Sequence, residues 1–243
     1  MTLSIVTASL NAFDNLFSMY ERIKSLLGDE IDWVICDSIR SVDDTASYFQ
    51  SMPYVSVLTV DDDGIYDAIN QGILIASGEW IIILGSDDLI FPPIKDLLNC
   101  FSPAEFIYSL PYSLGDSSYV HSRSPNTIFH FLRGMPLSHQ CLVVSKKLYV
   151  KFLYVTSYKY ASDYHWLLNV FLHGYRPVRV YHSSPAVNMS LSGISSSIYY
   201  RALIAEEFLH ILRGFKFPIY LRLPLILSLW KTRIRNYSYH FFC

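Results

Sequence analysis

Strand-like and helix-like segments alternate through the first 90 residues, and this alternation restricts the fold more than any other feature. Short apolar, β-branched runs predict strands at 3–8, 33–36, 55–58 and 80–84. Apolar residues at helical spacing predict helices between them, at 16–27, 43–51 and 65–76. This order is typical of an α/β fold with a doubly wound, mostly parallel sheet and flanking helices.

Polar and mostly acidic residues follow each of these predicted strands, at 7–11, 37–44, 61–63 and 86–88. Ligands of such sheets bind beyond the carboxyl ends of the strands, so we expect these segments to converge on one rim. Because like charges repel, an acidic rim is relieved either by solvation or by a divalent cation. Asp87 and Asp88 come directly after an apolar strand and predict a site for Mg²⁺ or Mn²⁺. A helix N-cap or a turn is the structural alternative for this pair.

The formal net charge of −2 is unevenly distributed along the chain. Residues 1–100 hold four Lys and Arg against 16 Asp and Glu, a net −12. Residues 101–207 are net +4, and residues 208–243 hold six basic residues and no acid. The two ends of the chain therefore favour different partners.

Other phosphate-binding motifs are absent from the sequence. It contains neither GxxxxGK[ST] nor GxGxxG, so P-loop and dinucleotide-binding functions are unsupported. A nucleotidyltransferase on a similar sheet stays open as an alternative, although 7–11 (TASLN) is neither glycine-rich nor basic. A non-catalytic sugar-nucleotide-binding subunit is the second alternative.

The later part of the chain is less regular. We predict strands at 105–110 and 141–144 and helices at 162–173 and 195–212. No apolar run is long enough to span a bilayer. The start, 1–4 (MTLS), lacks the basic residues of a signal peptide, so we expect a cytoplasmic protein.

Several segments resemble family 2 of the glycosyltransferases, which have the GT-A fold, and in particular its small bacterial members that build surface polysaccharide and O-antigen. Segment 62–72 (DDGIYDAINQG) is similar to the family's D-x-G-I-Y-D-A-M-N-K-G, and 78–88 (GEWIIILGSDD) resembles its G-E-x-(apolar)-L-N-x-D-D. Further similar segments are 135–140 (MPLSHQ), 161–164 (ASDY) and 192–195 (SGIS). The loop 37–45 departs from the family's pattern because it lacks both glycines and is one residue longer.

The resemblance implies a GT-A domain over 1–207, with a nucleotide-binding half (1–90) and an acceptor half (91–207). It implies transfer of a sugar, with inversion, from a nucleotide diphospho-sugar to a glycan hydroxyl. UDP is expected by association with the family. The acceptor is expected to be a glycan linked to polyprenyl diphosphate.

The resemblance also assigns roles to individual residues. Asp163 is expected as the general base; a first-turn helix Asp is the alternative. Asp88 is expected as the metal ligand, with Asp87 sharing the metal or contacting ribose. Residues expected at the nucleotide and donor sugar are Thr7, Asn11, Asp37, Asp62 and Asp67. His139 and Gln140 are expected beside the donor sugar or acceptor, and His182 is a weaker candidate for the metal.

Residues 208–243 form a basic, aromatic extension that contains Arg213, Lys216 and Arg222 and, further on, Lys231, Arg233 and Arg235. Cationic, aromatic and apolar residues together favour binding to an anionic lipid surface. We therefore expect a peripheral protein on the inner face of the cytoplasmic membrane. The alternative is a helix packed on the domain; nucleic acid is not an expected partner, because no binding motif accompanies the charge.

Overall fold

The structure, a computed structural model, describes residues 2–28, 31–102, 104–117, 120–121, 124–191, 198–223 and 226–227. Its strands are β1 (Leu3–Ser9), β2 (Ile31–Ser38), β3 (Val55–Val60), β4 (Trp80–Ile83), β5 (Leu89–Ile90), β6 (Ile107–Ser109), β7 (Tyr112–Leu114), β8 (Leu142–Ser145), β9 (Val178–Arg179) and β10 (Val187–Met189). Its α-helices are α1 (Phe13–Leu27), α2 (Thr45–Phe49), α3 (Ile65–Ile75), α4 (Pro93–Leu98), α5 (Ile128–Phe131), α6 (Lys146–Lys151), α7 (Ser162–Leu172) and α8 (Ile198–Gly214).

The main sheet has seven strands in the order β3-β2-β1-β4-β8-β6-β9. The first four of these are parallel to one another, whereas β8 runs antiparallel to both β4 and β6. Strands β1, β2 and β4 are almost entirely buried, as strands covered on both faces by helices should be. The predicted α/β class with a mostly parallel sheet is confirmed.

The first half of the chain follows its local sequence closely. Helix α1 buries Leu16, Tyr20, Ile23 and Leu27 at helical spacing and ends at Gly28, whose φ of 56° suits glycine. Helix α3 packs tightly on the sheet at Gly72, where a Cβ would lie 2.6 Å from both Cys36 Sγ and Val6 Cγ1. This close approach explains the glycine at the end of the segment 62–72.

A second, three-stranded sheet, β5-β10-β7, combines strands that are far apart in the sequence. Its strands have two or three residues each, too short to show the alternation that marks a strand in a sequence. Strand β10 brings the segment around Met189 and Ser190 next to the residues that follow β4. This small sheet therefore shapes the carboxyl end of the main one.

Helix α8 crosses residue 207, where we predicted the domain to end. Phe208, Leu209, Ile211 and Leu212 are all buried in the common core. The segment 192–195 and the basic residues at 231, 233 and 235 lie outside the described residues. Within the described part of the chain, no helix is both long and apolar enough to span a membrane.

Candidate active site

The loops that follow β1 and β2 are joined by hydrogen bonds at the carboxyl end of the sheet. The Val42 N–H donates to Asn11 Oδ1 at 2.8 Å, and the Asn11 N–H donates to Ser41 Oγ at 3.2 Å. Asn11 has a φ of 52°, in the left-handed region that asparagine tolerates better than most residues. The predicted convergence of these loops is therefore observed, with Asn11 exposed on their surface.

Asp37 occupies the end of β2 and is 2% exposed. Its Oδ1 accepts a hydrogen bond from Ser41 Oγ at 2.7 Å. Burial raises the pKa of Asp37; the bond from Ser41 opposes this rise, and the charge of Asp43 adds to it. The fold thus keeps a carboxylate in an unfavourable environment at the rim.

Thr7 lies within the sheet and not on its surface. Its side chain is 0% exposed, and its Oγ1 accepts a hydrogen bond from Trp33 Nε1 at 3.0 Å. The structure therefore does not present the Thr7 hydroxyl to the rim, because the Trp33 indole covers it.

Arg40 is one of the few cations in the acidic residues 1–100, and no role was predicted for it. It forms an ion pair with Asp62 at 2.7 Å, while its own side chain is 61% exposed. Asp62 Oδ1 also accepts the Gly64 N–H at 2.9 Å. Asp62 therefore joins the loop after β2 to the start of α3. The signal in the sequence was that the loop 37–45, which contains Arg40, departs from the family's pattern.

Asp67 lies in the first turn of α3. Its Oδ2 accepts the Asp63 N–H at 3.3 Å and Gln71 Nε2 at 3.2 Å. A carboxylate in this position stabilises the helix N-terminus. The described contacts of Asp67 are all within this short segment.

Asp163 is the centre of a cluster drawn from three distant parts of the chain. Its Oδ1 accepts a hydrogen bond from Tyr66 Oη at 3.1 Å, and its Oδ2 lies 3.2 Å from His139 Nδ1. The side chains of His139 and Asp163 are 15% and 19% exposed, so both are sheltered but reachable. Each of these three residues comes from a different one of the motif segments.

Local sequence explains how each member of this cluster is held. Asp163 is in the first turn of α7, whose Tyr164, Leu167 and Leu168 are buried. Tyr66 projects from the start of α3, and its ring packs against Tyr154 with centroids 5.4 Å apart. Burial raises the pKa of Tyr66, and the negative charge of Asp163 adds to this rise. Tyr66 therefore keeps its proton and donates it in a hydrogen bond.

Gln140 follows His139 in a short 3₁₀ turn, His139–Cys141. Its side-chain oxygen accepts a hydrogen bond from Ser138 Oγ. The turn precedes β8, and both His139 and Gln140 are half-buried. The structure thus brings His139 to Asp163, whereas the described contact of Gln140 is a local one.

Asp87 and Asp88 approach each other over Gly85. Asp87 Oδ1 and Asp88 Oδ2 would lie 3.0 and 3.1 Å from a Cβ at Gly85. Asp88 is 2% exposed and accepts the N–H groups of Gly85 and Ser190 at 2.7 and 3.1 Å. Burial raises the pKa of Asp88, with a further rise from the charge of Asp87, while these hydrogen bonds oppose it.

The carboxylates of Asp87 and Asp88 are suitable ligands for a divalent cation. Two adjacent carboxylates supply the hard oxygen ligands that Mg²⁺ and Mn²⁺ prefer, and a cation would relieve their repulsion. Across the described ranges, no group of three His, Cys, Asp or Glu side chains could hold a metal on its own. The remaining ligands would therefore have to include substrate oxygens or water, as is common for Mg²⁺.

His182 lies on the exposed loop between β9 and β10. Its Nδ1 accepts the Ser184 N–H at 3.0 Å, and it borders a cavity with Phe91 and Pro92. None of its described contacts is with Asp87 or Asp88. Its part in a metal site remains only a prediction.

A cavity of about 230 Å³ opens beside the cluster of Tyr66, His139 and Asp163. It is lined by Tyr66 together with Arg40, Tyr158 and Lys159. A larger cavity of about 960 Å³ lies elsewhere, at the amino end of β4 near Gly78 and Trp80. Because ligands of α/β sheets bind at carboxyl ends, the smaller cavity is the better candidate for part of a substrate cleft. Its lining combines aromatic rings, two cations and the carboxylates of Asp63 and Asp67, and suits a polar, ring-containing ligand.

Solved structures with the same fold include glycosyltransferases. Staphylococcus aureus TarS 1-349 in complex with UDP superposes with a TM-score of 0.63 at 15% identity, covering 85% of this chain and 65% of that one. The mannosyltransferase PcManGT from Pyrobaculum calidifontis, in complex with GDP-Man and Mn²⁺, gives 0.59 at 17% identity, covering 94% and 69%. At these identities the likeness shows the fold alone.

Comparison of sequences gives one short match to a curated protein and one longer match to a family. A PGL/p-HBAD biosynthesis glycosyltransferase from Mycobacterium bovis is 31% identical over 52 residues, which are 19% of this chain and 20% of that protein. The match thus spans about a fifth of this relative's length. The model of the family described as Glycosyl transferase family 2 matches residues 4–136, more than half of the chain and including the loops after β1 to β4. With this match and the shared fold, the chain belongs to glycosyl transferase family 2.

Proposed function

We propose that this protein transfers a sugar from a nucleotide diphospho-sugar to a hydroxyl of a glycan acceptor, with inversion at the anomeric carbon. Family membership supports sugar transfer, and the structural neighbours named above are described as complexes with UDP and with GDP-Man. UDP is the proposed nucleotide. The proposed setting is the assembly of surface polysaccharide or O-antigen.

Asp163 is the proposed general base. The observation that carries this proposal is its contact with Tyr66 and His139, which join three motif segments at one half-buried carboxylate. Tyr66 and His139 orient the carboxylate, and its partial exposure lets an acceptor hydroxyl reach it. In a single displacement the acceptor oxygen forms its bond to the anomeric carbon, its proton passes to Asp163, and the diphosphate leaves with the electron pair of the broken bond.

The nucleotide is proposed to bind along the loops that follow β1, β2 and β3. Asp37 would accept the imide N–H of uracil, and Asn11 lies exposed beside it. Thr7 would support this region from within, since its hydroxyl is enclosed by Trp33. Asp62 and Asp67 hold the start of α3 and Tyr66 in place near the donor.

Asp88 and Asp87 are the proposed ligands of Mn²⁺ or Mg²⁺. A bound cation would neutralise charge on the leaving diphosphate. The protein's own contribution is to hold Asp88 by two backbone N–H groups and to place Asp87 beside it at the half-buried rim. His139 and Gln140 are proposed to flank the donor sugar or the acceptor.

The acceptor is proposed to be a glycan on polyprenyl diphosphate, met at a membrane surface. Phe215 and Phe217 pack against the core, whereas Ile219, Tyr220 and Leu223 are exposed among basic residues. Such a segment favours interfacial binding. We expect the full chain to co-sediment with phosphatidylglycerol vesicles but not with phosphatidylcholine vesicles, and to be released by salt; equal binding to both would contradict an electrostatic contribution.

The Asp163→Asn variant tests the proposed base. Asn keeps the size of the side chain but accepts no proton, so turnover should fall by about 10²- to 10⁴-fold, while the KM for the donor changes little. Nucleoside diphosphate release from UDP-GlcNAc or GDP-Man, with a polyprenyl-diphosphate-linked glycan as acceptor, is the measurement.

Asp14→Asn is the matched control, because Asp14 is an exposed carboxylate on α1. Unchanged turnover in Asp163→Asn would exclude Asp163 as the base. Donor binding without turnover by the wild-type chain would favour the sugar-nucleotide-binding subunit, and release of pyrophosphate from a nucleoside triphosphate and a sugar 1-phosphate would favour the nucleotidyltransferase.

A further inference from the structure

Glu207 of α8 holds the backbone that leads into α7. Its Oε1 accepts the Lys159 N–H at 2.9 Å, and its Oε2 accepts the N–H groups of Tyr160 and Ala161 at 2.9 and 2.8 Å. Three consecutive backbone donors thus point at one carboxylate from a helix more than 45 residues further along the chain. No motif in the sequence indicates this contact.

The start of α7 has a particular need for such a partner. Its N-cap residue is Ala161, which has no side-chain acceptor for the unpaired N–H groups of a helix start. The described hydrogen bond of the Ser162 hydroxyl is also not a cap, because this hydroxyl donates to the Val155 carbonyl at 2.8 Å. The Glu207 carboxylate supplies both acceptors and negative charge at this N-terminus, where the helix dipole favours an anion.

Asp163 follows this clamped segment by two residues. Aromatic contacts also join this region to α7: the rings of Tyr164 and of Phe208 in α8 stack with centroids 4.1 Å apart, and those of His165 and Phe215, which follows α8, lie 5.3 Å apart. Helix α8 therefore holds the backbone that enters the first turn of α7, which carries Asp163. Glu207 is close enough to this cluster for its charge to add to the raised pKa of Tyr66.

We propose that Glu207 is a positioning residue that sets the place of Asp163 by binding the backbone N–H groups of residues 159–161. This inference rests on the proposed function only for the role of Asp163. Glu207 does not contact substrate; it acts through the start of α7. Helix α8 is therefore part of the catalytic unit, although the resemblance to the family ends near residue 207.

Two variants of Glu207 separate positioning from charge alone. Glu207→Ala removes all three acceptors. Glu207→Gln keeps one oxygen, which can still accept from Tyr160 and Ala161, but turns an NH₂ group toward the Lys159 N–H. We expect the fall in kcat to be about 10- to 100-fold for Glu207→Ala, the range for a misplaced catalytic group. We expect partial rescue in Glu207→Gln and an unchanged donor KM in both.

Hydrogen–deuterium exchange of the full chain gives a readout that is independent of turnover. The amides of 159–161 should exchange faster in Glu207→Ala, with an intermediate rate in Glu207→Gln. Ile211→Ala is the control for general loosening of α8, because Ile211 is buried in the same helix but is not part of the clamp. It should lower the melting temperature yet leave kcat and the exchange at 159–161 near those of the wild type.

Unchanged kcat in Glu207→Ala, in a chain where Asp163→Asn abolishes turnover, would overturn the positioning role and leave the base intact. So would equal loss of kcat in Glu207→Ala and Ile211→Ala at matched melting temperature. If Asp163→Asn keeps full turnover, the proposed base itself fails. Unchanged exchange at 159–161 in Glu207→Ala would overturn the clamp whatever the activity.

Discussion

At the scale of single residues, the site is a set of carboxylates held in different environments. Asp163 is half-buried between a phenol and an imidazole, Asp88 is buried on backbone N–H groups, and Asp62 is paired with Arg40. Differences of this kind separate the roles that carboxylates can take in one site.

Asp37 gives a prediction about pH. Its folded pKa is raised by burial, so the stability that it contributes is full below the usual aspartate pKa of about 3.9 and is lost as the pH rises through the folded value. The charged carboxylate therefore lowers stability at pH 7. Asp37→Asn should melt at a higher temperature than wild type at pH 7, with the difference shrinking toward pH 3.5.

The same variant should bind a UDP-sugar more weakly, by roughly tenfold to a hundredfold, the range for a hydrogen bond to a charged group. Melting curves at several pH values and a titration with UDP-GlcNAc measure the two effects. A difference in melting temperature that stays constant from pH 3.5 to 7 would contradict the assignment of a raised pKa to Asp37.

Motifs predict some residues of the candidate site and not others, for a physical reason. Asp163, His139 and Asp88 stand in short segments similar to the family's motifs, so the resemblance predicts them as site residues. Arg40 and Glu207 act through contacts with residues 22 and more than 45 positions away. A sequence does not show such partners, because only folding brings them together.

At the scale of elements, α3 packs closely against the sheet because Gly72 has no side chain. Gly72 leaves room for Val6 of β1 and Cys36 of β2, both of which are fully buried and unable to move aside. Gly72→Ala should therefore lower the free energy of unfolding by about 1–3 kcal/mol, the usual cost of overpacking. Displacement of α3 would also carry Tyr66 away from Asp163.

Gly214→Ala is the matched control, because a Cβ there meets no atom within 4 Å at the end of α8. It should be neutral or stabilising by up to about 1 kcal/mol. Urea unfolding of both variants is the measurement. Equal effects of the two substitutions would contradict the close packing of α3.

Helices and strands with a clear pattern of apolar residues were predictable from the sequence. Short strands that are defined only by hydrogen bonds to a neighbouring strand were not. The strands β1 to β4 and the helices α1, α3, α7 and α8 appear near their predicted positions. The small sheet β5-β10-β7 was missed, because its strands of two or three residues exist only through their hydrogen-bonded neighbours. It is this sheet that brings Ser190 to Asp88.

At the scale of the whole molecule, the uneven charge of the chain matches the two proposed binding regions, one for the nucleotide-sugar and one for the membrane. The acidic residues 1–100, net −12, supply the carboxylates at the ends of the parallel strands, where an anionic donor would require a cation. The basic residues of the C-terminal segment follow α8, which also supports Asp163 through Glu207. The proposed base and the proposed membrane segment are thus joined by one helix.

The most direct test of the account is thermal unfolding of the full chain with UDP-GlcNAc or GDP-Man, with and without Mn²⁺. Ligand at about 100 times its Kd adds about 2.7 kcal/mol of stability, a rise in Tm of roughly 5–10 °C for a chain of this size. We predict this rise only when Mn²⁺ is present, its loss in Asp88→Ala and its retention in Asp14→Asn. A rise that ignores Mn²⁺ and survives in Asp88→Ala would contradict the metal site, and no rise with any nucleotide-sugar would contradict the proposed function.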